Sequence, residues 1–215
     1  AGFSDDINTL YFNVGALGRI KKLQVGCFNG LWFGNIYFSN LGVVYPLNTK
    51  TSFGFSAIYL STAEKLEKRD VNNNNLGKFS FYDFAGLVSV SHEFSSILSF
   101  GFGIKYLEER IAHKARNAIA IDTGIHLDLI KKRYRKTIFT PLSLGISVSN
   151  IGGEIKFTEN EKLPLIVRVG LCYKGVVKPV NLGFDINFPI DNEVNFHFGT
   201  ELIIKSDLFT FYPRV

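Results

Sequence analysis

Residues 79–109 read FSFYDFAGLVSVSHEFSSILSFGFGIKYLEE, and their two-residue alternation constrains the fold more than any other stretch. In the first arm Tyr82, Phe84, Val88, Val90 and Phe94 fall on one face, with Gly86 and His92 among them. Asp83, Ala85, Ser89, Ser91 and Glu93 fall on the other, where Leu87 is the one apolar exception. After a turn at Ser95 and Ser96, Leu98, Phe100, Phe102, Ile104 and Tyr106 share a face opposite Ser99, Gly101, Gly103, Lys105 and Glu109. Side chains of a strand point alternately to its two sides, so each arm is a ribbon with one greasy side and one small or charged side. Each is long enough to cross a bilayer, which takes about 9–11 tilted strand residues.

The pattern recurs along the chain. Strands are expected at about 23–28, 35–45 with a bulge near Ser39 and Asn40, and 52–60. After the hairpin they are expected at about 118–130, 140–149, 164–174, 180–188, 194–204 and from 208 onward, eleven in all. Residues 1–22 lack the alternation and read as a compact plug, with a short helix over 8–12 capped by Asp5 or Asp6; residues 23–215 form the wall. Residues 61–78, 110–117 and 150–163 read as long loops, the first with a short helix in AEKLEKRD before an asparagine-rich tip. The connections at the opposite ends of the strands are mostly short, and this asymmetry would place them on the periplasmic side of an outer-membrane barrel.

The fold class expected is therefore all-β: an antiparallel up-and-down transmembrane β-barrel with a short N-terminal plug. A soluble sheet also alternates, and a soluble β-sandwich binding module is the alternative. Composition favours the membrane: 46% of the 215 residues are hydrophobic, 21 are Phe and 20 are Gly. Phe suits a face toward lipid and Gly the crowded inside of a barrel. No apolar run reaches the roughly 18 residues of a transmembrane helix. The chain does not start with Met, carries no visible signal peptide and shows an odd number of strands, so it reads as a processed form or a fragment. Cys27 and Cys172 lie on different strands and opposite faces, which argues against a disulfide.

Asp122, His126, Asp128, Arg168, Asp185, His197 and Glu201 all fall on the polar face. They are candidates for a lumen lining that sets selectivity, or for a self-neutralising network that fills the lumen. No GxSxG, HExxH or phosphate-loop motif occurs, so no catalytic residue, metal or cofactor is expected and the chain is not read as an enzyme. KKRYRK at 131–136 is the densest basic run, and it reads as a rim turn rather than a nucleic-acid site.

Asp5, Asp6, Asn8, Tyr11, Asn13, Gly15 and Leu17 belong to DDINTLYFNVGAL. That stretch resembles the "DD…alyyNPAGL" segment near the mature start of FadL-like outer-membrane proteins of the PorV/PorQ type. The piece VSNIGG at 148–153, followed by Leu163 and Pro164, looks like the family's "v.NlG….lP", and LGFD at 182–185 and FGTE at 198–201 resemble two of its later strands. Val14 stands where the family has Pro, and Gly15 and Ala16 reverse its Ala-Gly order. The resemblance implies a fourteen-stranded barrel in the bacterial outer membrane, in contact with its lipid and incomplete here at the C-terminus. It implies carriage of small hydrophobic compounds past the plug, or alternatively a PorV-like anchor and scaffold bound to proteins of type IX secretion.

Overall fold

The computed structural model describes residue 2 and residues 6–130, 141–156, 160–177, 180–205 and 210–211. Phe3, Asp5, the KKRYRK turn and nearly all of the expected last strand lie outside the described residues.

The chain enters through helix α1 (Thr9–Phe12) and a 3-10 helix, Val14–Arg19. Strands follow as β1 (Gln24–Trp32), β2 (Ile36–Pro46), β3 (Thr51–Thr62), β4 (Leu66–Arg69), β5 (Asn75–Phe79), β6 (Phe81–Glu93), β7 (Leu98–Ile111) and β8 (Lys114–Ile130). Then come β9 (Leu142–Gly152), β10 (Glu154–Lys156), β11 (Asn160–Lys162), β12 (Ile166–Val177), β13 (Val180–Pro189), β14 (Asn195–Leu202), β15 (Ile204–Lys205) and β16 (Thr210–Phe211). Ten of them form one antiparallel meander in the order β1-β2-β3-β6-β7-β8-β9-β12-β13-β14. Among the described residues β1 and β14 are its two edges, and β4-β5, β10-β11 and β15-β16 are separate small hairpins.

Several details differ from expectation. AEKLEKRD is not helical: its Leu66–Arg69 portion is β4, paired with β5 across the asparagine-rich tip. Asp70 clamps that tip by accepting from the backbone amides of Asn72 and Asn74, so the Asn run closes a hairpin rather than a loose loop. Nor is 110–117 a long loop. β7 and β8 stay paired out to Ile111 and Lys114 around a tight turn at Ala112, whose φ is +56°. Backbone ladders do not need a greasy face, and the cross-strand pair of Glu109 and Arg116 suits pairing beyond the apolar stretch. β2 runs without a register shift through Ser39 and Asn40; the main sheet instead shifts register at Asn150 of β9, whose φ is +61°, between Asp128 and Ile130 of β8, and between Lys174 and Val177 of β12.

The N-terminal segment lies against one face of the big sheet, here the inner face. Ile7 abuts Gly26 of β1 and Gly42 of β2, Leu10 and Leu17 abut Gly54 of β3, and Gly18 abuts Ser91 of β6. Val14 reaches Gly101 of β7, Gly15 reaches Gly124 of β8, and Ser147 of β9 bonds the Phe12 carbonyl. Residues 7–18 thus touch seven successive strands. Laid flat, these would cover about 29 Å, whereas the two helices together are about 20 Å long. The sheet must curl around the segment. Leu10, Val14, Leu17, Ile20, Val44 and Leu87 make the apolar core of this contact.

Candidate functional site

The inner face is built to receive the N-terminal backbone. Gly101 and Gly124 are cross-strand partners in β7 and β8, and a Cβ on either would collide with Val14 or Asn13. Their bare backbones let the segment lie directly on the sheet. Five wall serines then meet its carbonyls: Ser52 donates to Ile20 (3.0 Å), Ser91 and Ser99 both to Gly15 (2.9 and 2.8 Å), Ser143 to Gly2 (3.0 Å) and Ser147 to Phe12 (2.7 Å). The Asn13 side chain accepts from the Gly15 amide and donates to the Ile125 carbonyl, both at 3.0 Å. Buried carbonyls without water need such donors, which accounts for the small hydroxyls of the polar face. Of the candidates in DDINTLYFNVGAL, Asn13, Gly15 and Leu17 are buried in this contact, while Asn8 and Tyr11 are exposed. The N-cap of α1 is Asn8, without a side-chain cap bond, and the Asp6 carboxylate just before it accepts from the Asn8 amide and side chain (2.9 and 3.2 Å).

The seven polar candidates do not form one cluster; they divide among four places. Near the end of the segment, Arg19 pairs with Glu93 (3.0 Å) and Asp128 (3.4 Å), Lys21 pairs with Glu93 (2.6 Å), and His126 contacts Asp128 at 3.3 Å. Further along, Lys105 pairs with Asp122 at 2.6 Å and donates to Asn150 Oδ1, while the Asn150 amide donates to Asp122. Asn150 also donates to the Pro164 carbonyl, so the bulge ties the 152–166 connection to the wall. Glu201 accepts from Asn181 at 2.7 Å, at the far end of β13 and β14. Arg168, Asp185 and His197 line a common hollow of about 330 Å³ with Tyr11, Phe12 and Asn187. Lys105, Asn150, Arg19 and Glu93 escaped the candidate set. Alternation puts Lys105 and Glu93 on the polar face, but their partners are set by strand register, which alternation does not supply.

The outward face has the opposite character. Phe53, Phe55, Val88, Phe100, Phe102, Ile104, Phe184, Phe196 and Phe198 are exposed, Ile104 by 54% and Phe198 by 68%, whereas Asp122 and Glu201 are each 3% exposed. On β6 no Asp, Glu, Lys or Arg faces outward from Tyr82 to His92. Several polar groups that face outward have partners. His92 meets Thr51 Oγ1 at 3.0 Å and the edge of Phe94, and Ser39 donates to Asn29 at 2.7 Å. At the β7-β8 end Glu108 accepts from the hydroxyls of Tyr82 and Tyr106, and Arg110 stacks over Tyr82. Cys27 and Cys172 are both free, the first exposed and the second buried.

Strand register adds a patch that alternation did not single out. Phe28 and Trp32 of β1, Ile36 and Phe38 of β2, and Ile58 and Leu60 of β3 all point to the inner face, beyond the N-terminal segment. The rings of Phe28 and Phe38 are 5.8 Å apart. A hollow of about 150 Å³ lies between Phe28 and the segment's Ile7, Leu10 and Tyr11. Among the described residues no group of three His, Cys, Asp or Glu side chains is placed to hold a metal, and no helix is long and apolar enough to cross a membrane. No protein-family model matches the chain, and no curated protein is recognisably similar to it.

Proposed function

We propose that the chain is a wall of a bacterial outer-membrane β-barrel, stoppered by its N-terminal segment, that passes or holds a small hydrophobic molecule. The observation that carries this is the inverted polarity: apolar side chains outward, ionisable ones inward. In water such an arrangement forfeits the hydrophobic term, because the largest apolar groups stay wet. In a bilayer it is the stable one. The height agrees. From Tyr82 to His92, ten steps of about 3.3 Å at a tilt of about 45° give a charge-free band about 23 Å tall, against the roughly 25 Å of a barrel's apolar belt. Tyr59, Tyr82 and Tyr106 border it on one side, with Glu108 and Arg110 just past them, as an aromatic girdle would.

The hydrophobic cargo is inferred from the Phe28, Trp32, Phe38 and Leu60 patch, an apolar surface inside a wall that is elsewhere small or polar. A second reading, a membrane anchor and scaffold for a secretion system, is favoured by how firmly the segment is fastened: a stopper held by five serines is not one made to move freely.

Single cysteines test the medium in lipid vesicles. On a Cys27→Ser, Cys172→Ser background, Phe102→Cys and Phe198→Cys react with a membrane-permeant maleimide and not with a charged one. Equal reaction with both, or a chain that stays in the aqueous fraction without detergent, refutes the membrane placement and leaves the soluble sandwich. For the cargo, a naphthylamine fluorophore should brighten on binding, and Phe38→Asp should abolish the signal. No signal in the parent leaves the scaffold reading.

A further inference from the structure

Across β12, β13 and β14 the inner face is a set of rungs. Arg168, Asn187 and Asn195 lie side by side, then Gly170, Asp185 and His197, then Cys172, Gly183 and Gly199. Over β12 the N-terminal segment fills the space left by missing side chains, because Gly2 packs on the backbone of Gly170, Leu171 and Cys172. Over β13 and β14 Gly183 and Gly199 leave the hollow of about 330 Å³, and Tyr11 and Phe12 form its other wall.

Arg168 lines this hollow and is 6% exposed. Its guanidinium donates through Nη1 to Ser149 Oγ at 3.1 Å and lies 5.5 Å from the centre of the Tyr11 ring. Both partners are neutral, and among the described residues no carboxylate forms an ion pair with it. Asp185 lines the same hollow but makes no ion pair with Arg168, and a buried cation without a paired carboxylate is costly, so an anion reaching the Arg168 guanidinium would be stabilised. A second group points the same way: Asn187 donates through Nδ2 to Asn195, but its Oδ1 is buried with no donor among the described residues. One wall therefore asks for an anion, and Asn187 Oδ1 beside it asks for a hydrogen-bond donor.

We infer that this hollow is a binding site for a small hydrophilic carboxylate bearing hydroxyl or ammonium groups. The carboxylate meets the Arg168 fork, whose planar donors match it, and the donor substituent meets Asn187 Oδ1. At about 30 Å³ per water the hollow holds on the order of ten non-hydrogen atoms, the size of a small hydroxy or amino acid. The inference rests on the inner face alone and stands whichever medium meets the outer one.

The test is calorimetric titration of the full chain, folded in detergent micelles, with glycerate, serine and hexanoate. Glycerate or serine should bind at millimolar concentration or better, and hexanoate should not. Arg168→Gln should weaken that binding by about ten- to hundred-fold, the loss of one charge-assisted contact, while Asp70→Ala at the remote hairpin tip leaves it unchanged. Should Arg168→Gln fail to fold, Asn187→Leu removes the acceptor from the other wall and should still weaken binding at least severalfold. No binding of either hydrophilic probe, equal binding of hexanoate, or full affinity in a folded Arg168→Gln or Asn187→Leu variant overturns the site.

Discussion

Gly101→Ala is the sharpest perturbation of the contact between the N-terminal segment and the wall. The added Cβ would collide with the Val14 carbonyl oxygen and lie 2.5 Å from its carbon and 2.8 Å from the Gly15 amide nitrogen. All three are backbone atoms, so no rotamer change relieves the clash, and the segment must rise by on the order of 1 Å. That displacement stretches the bonds from Ser91 and Ser99 to the Gly15 carbonyl, now 2.9 and 2.8 Å, beyond useful range. Overpacking costs about 1–3 kcal/mol, and two hydrogen bonds about 1 kcal/mol each, so docking of the segment weakens by about 3–5 kcal/mol. The assay is the labelling rate of Ala16→Cys, a fully buried position, in a background free of Cys27 and Cys172. Labelling through transient undocking should accelerate by at least about a hundred-fold in Gly101→Ala. A parallel Ser91→Ala, Ser99→Ala variant leaves a buried carbonyl without a donor and should cost about 1–3 kcal/mol, an intermediate acceleration. If Gly101→Ala folds and labels within twofold of its parent, the segment is not seated on the glycine pair and the account of the inner face fails.

Three further outcomes follow from other parts of the molecule. Asp122→Asn or Lys105→Met alone strands one member of a buried ion pair and should lower unfolding stability by about 3–5 kcal/mol, while Lys105→Met combined with Asp122→Leu recovers most of it; urea titration in detergent reads both. Val88→Arg on the outward face should cost about 2–4 kcal/mol of folding into lipid vesicles, whereas the same change in aqueous detergent-free buffer would be harmless or favourable if the face met water. At the β4-β5 tip, hydrogen bonds from the Asn74 side chain and from the Asn74 and Asn72 amides hold the Asp70 carboxyl below its ordinary value. A depressed carboxyl contributes its order above the ordinary pKa and loses it as pH falls through the lowered one. Protection of the Asn72 and Asn74 amides, taken relative to the intrinsic exchange rate at each pH, should therefore hold near neutral pH, fall only in strong acid, and be absent at all pH values in Asp70→Ala.

How much could be read without coordinates differs by feature. The ten-stranded meander was legible because period two is a local property: Leu142, Leu144, Ile146 and Val148 declare a face from their spacing alone. The β4-β5 hairpin was not, since AEKLEKRD has helix-forming residues and pairs only because the neighbouring strands bring its ends together. The polar candidates share one face of the sheet, yet Asp122 and Asp128 serve different ion pairs, a distinction that depends on which residue of β7 or of the N-terminal segment lies opposite.

The residues by themselves determined that this chain makes strands, that each strand has two unlike sides, and that its first twenty or so residues do something else. Tertiary structure alone decided which side meets the outside, because that depends on what the sheet curls around. It also decided that the serines of the polar side cap carbonyls from residues up to 141 positions away in the chain, as Ser143 does for Gly2. Those partners are joined by curvature and register, and neither quantity is local to any stretch of sequence.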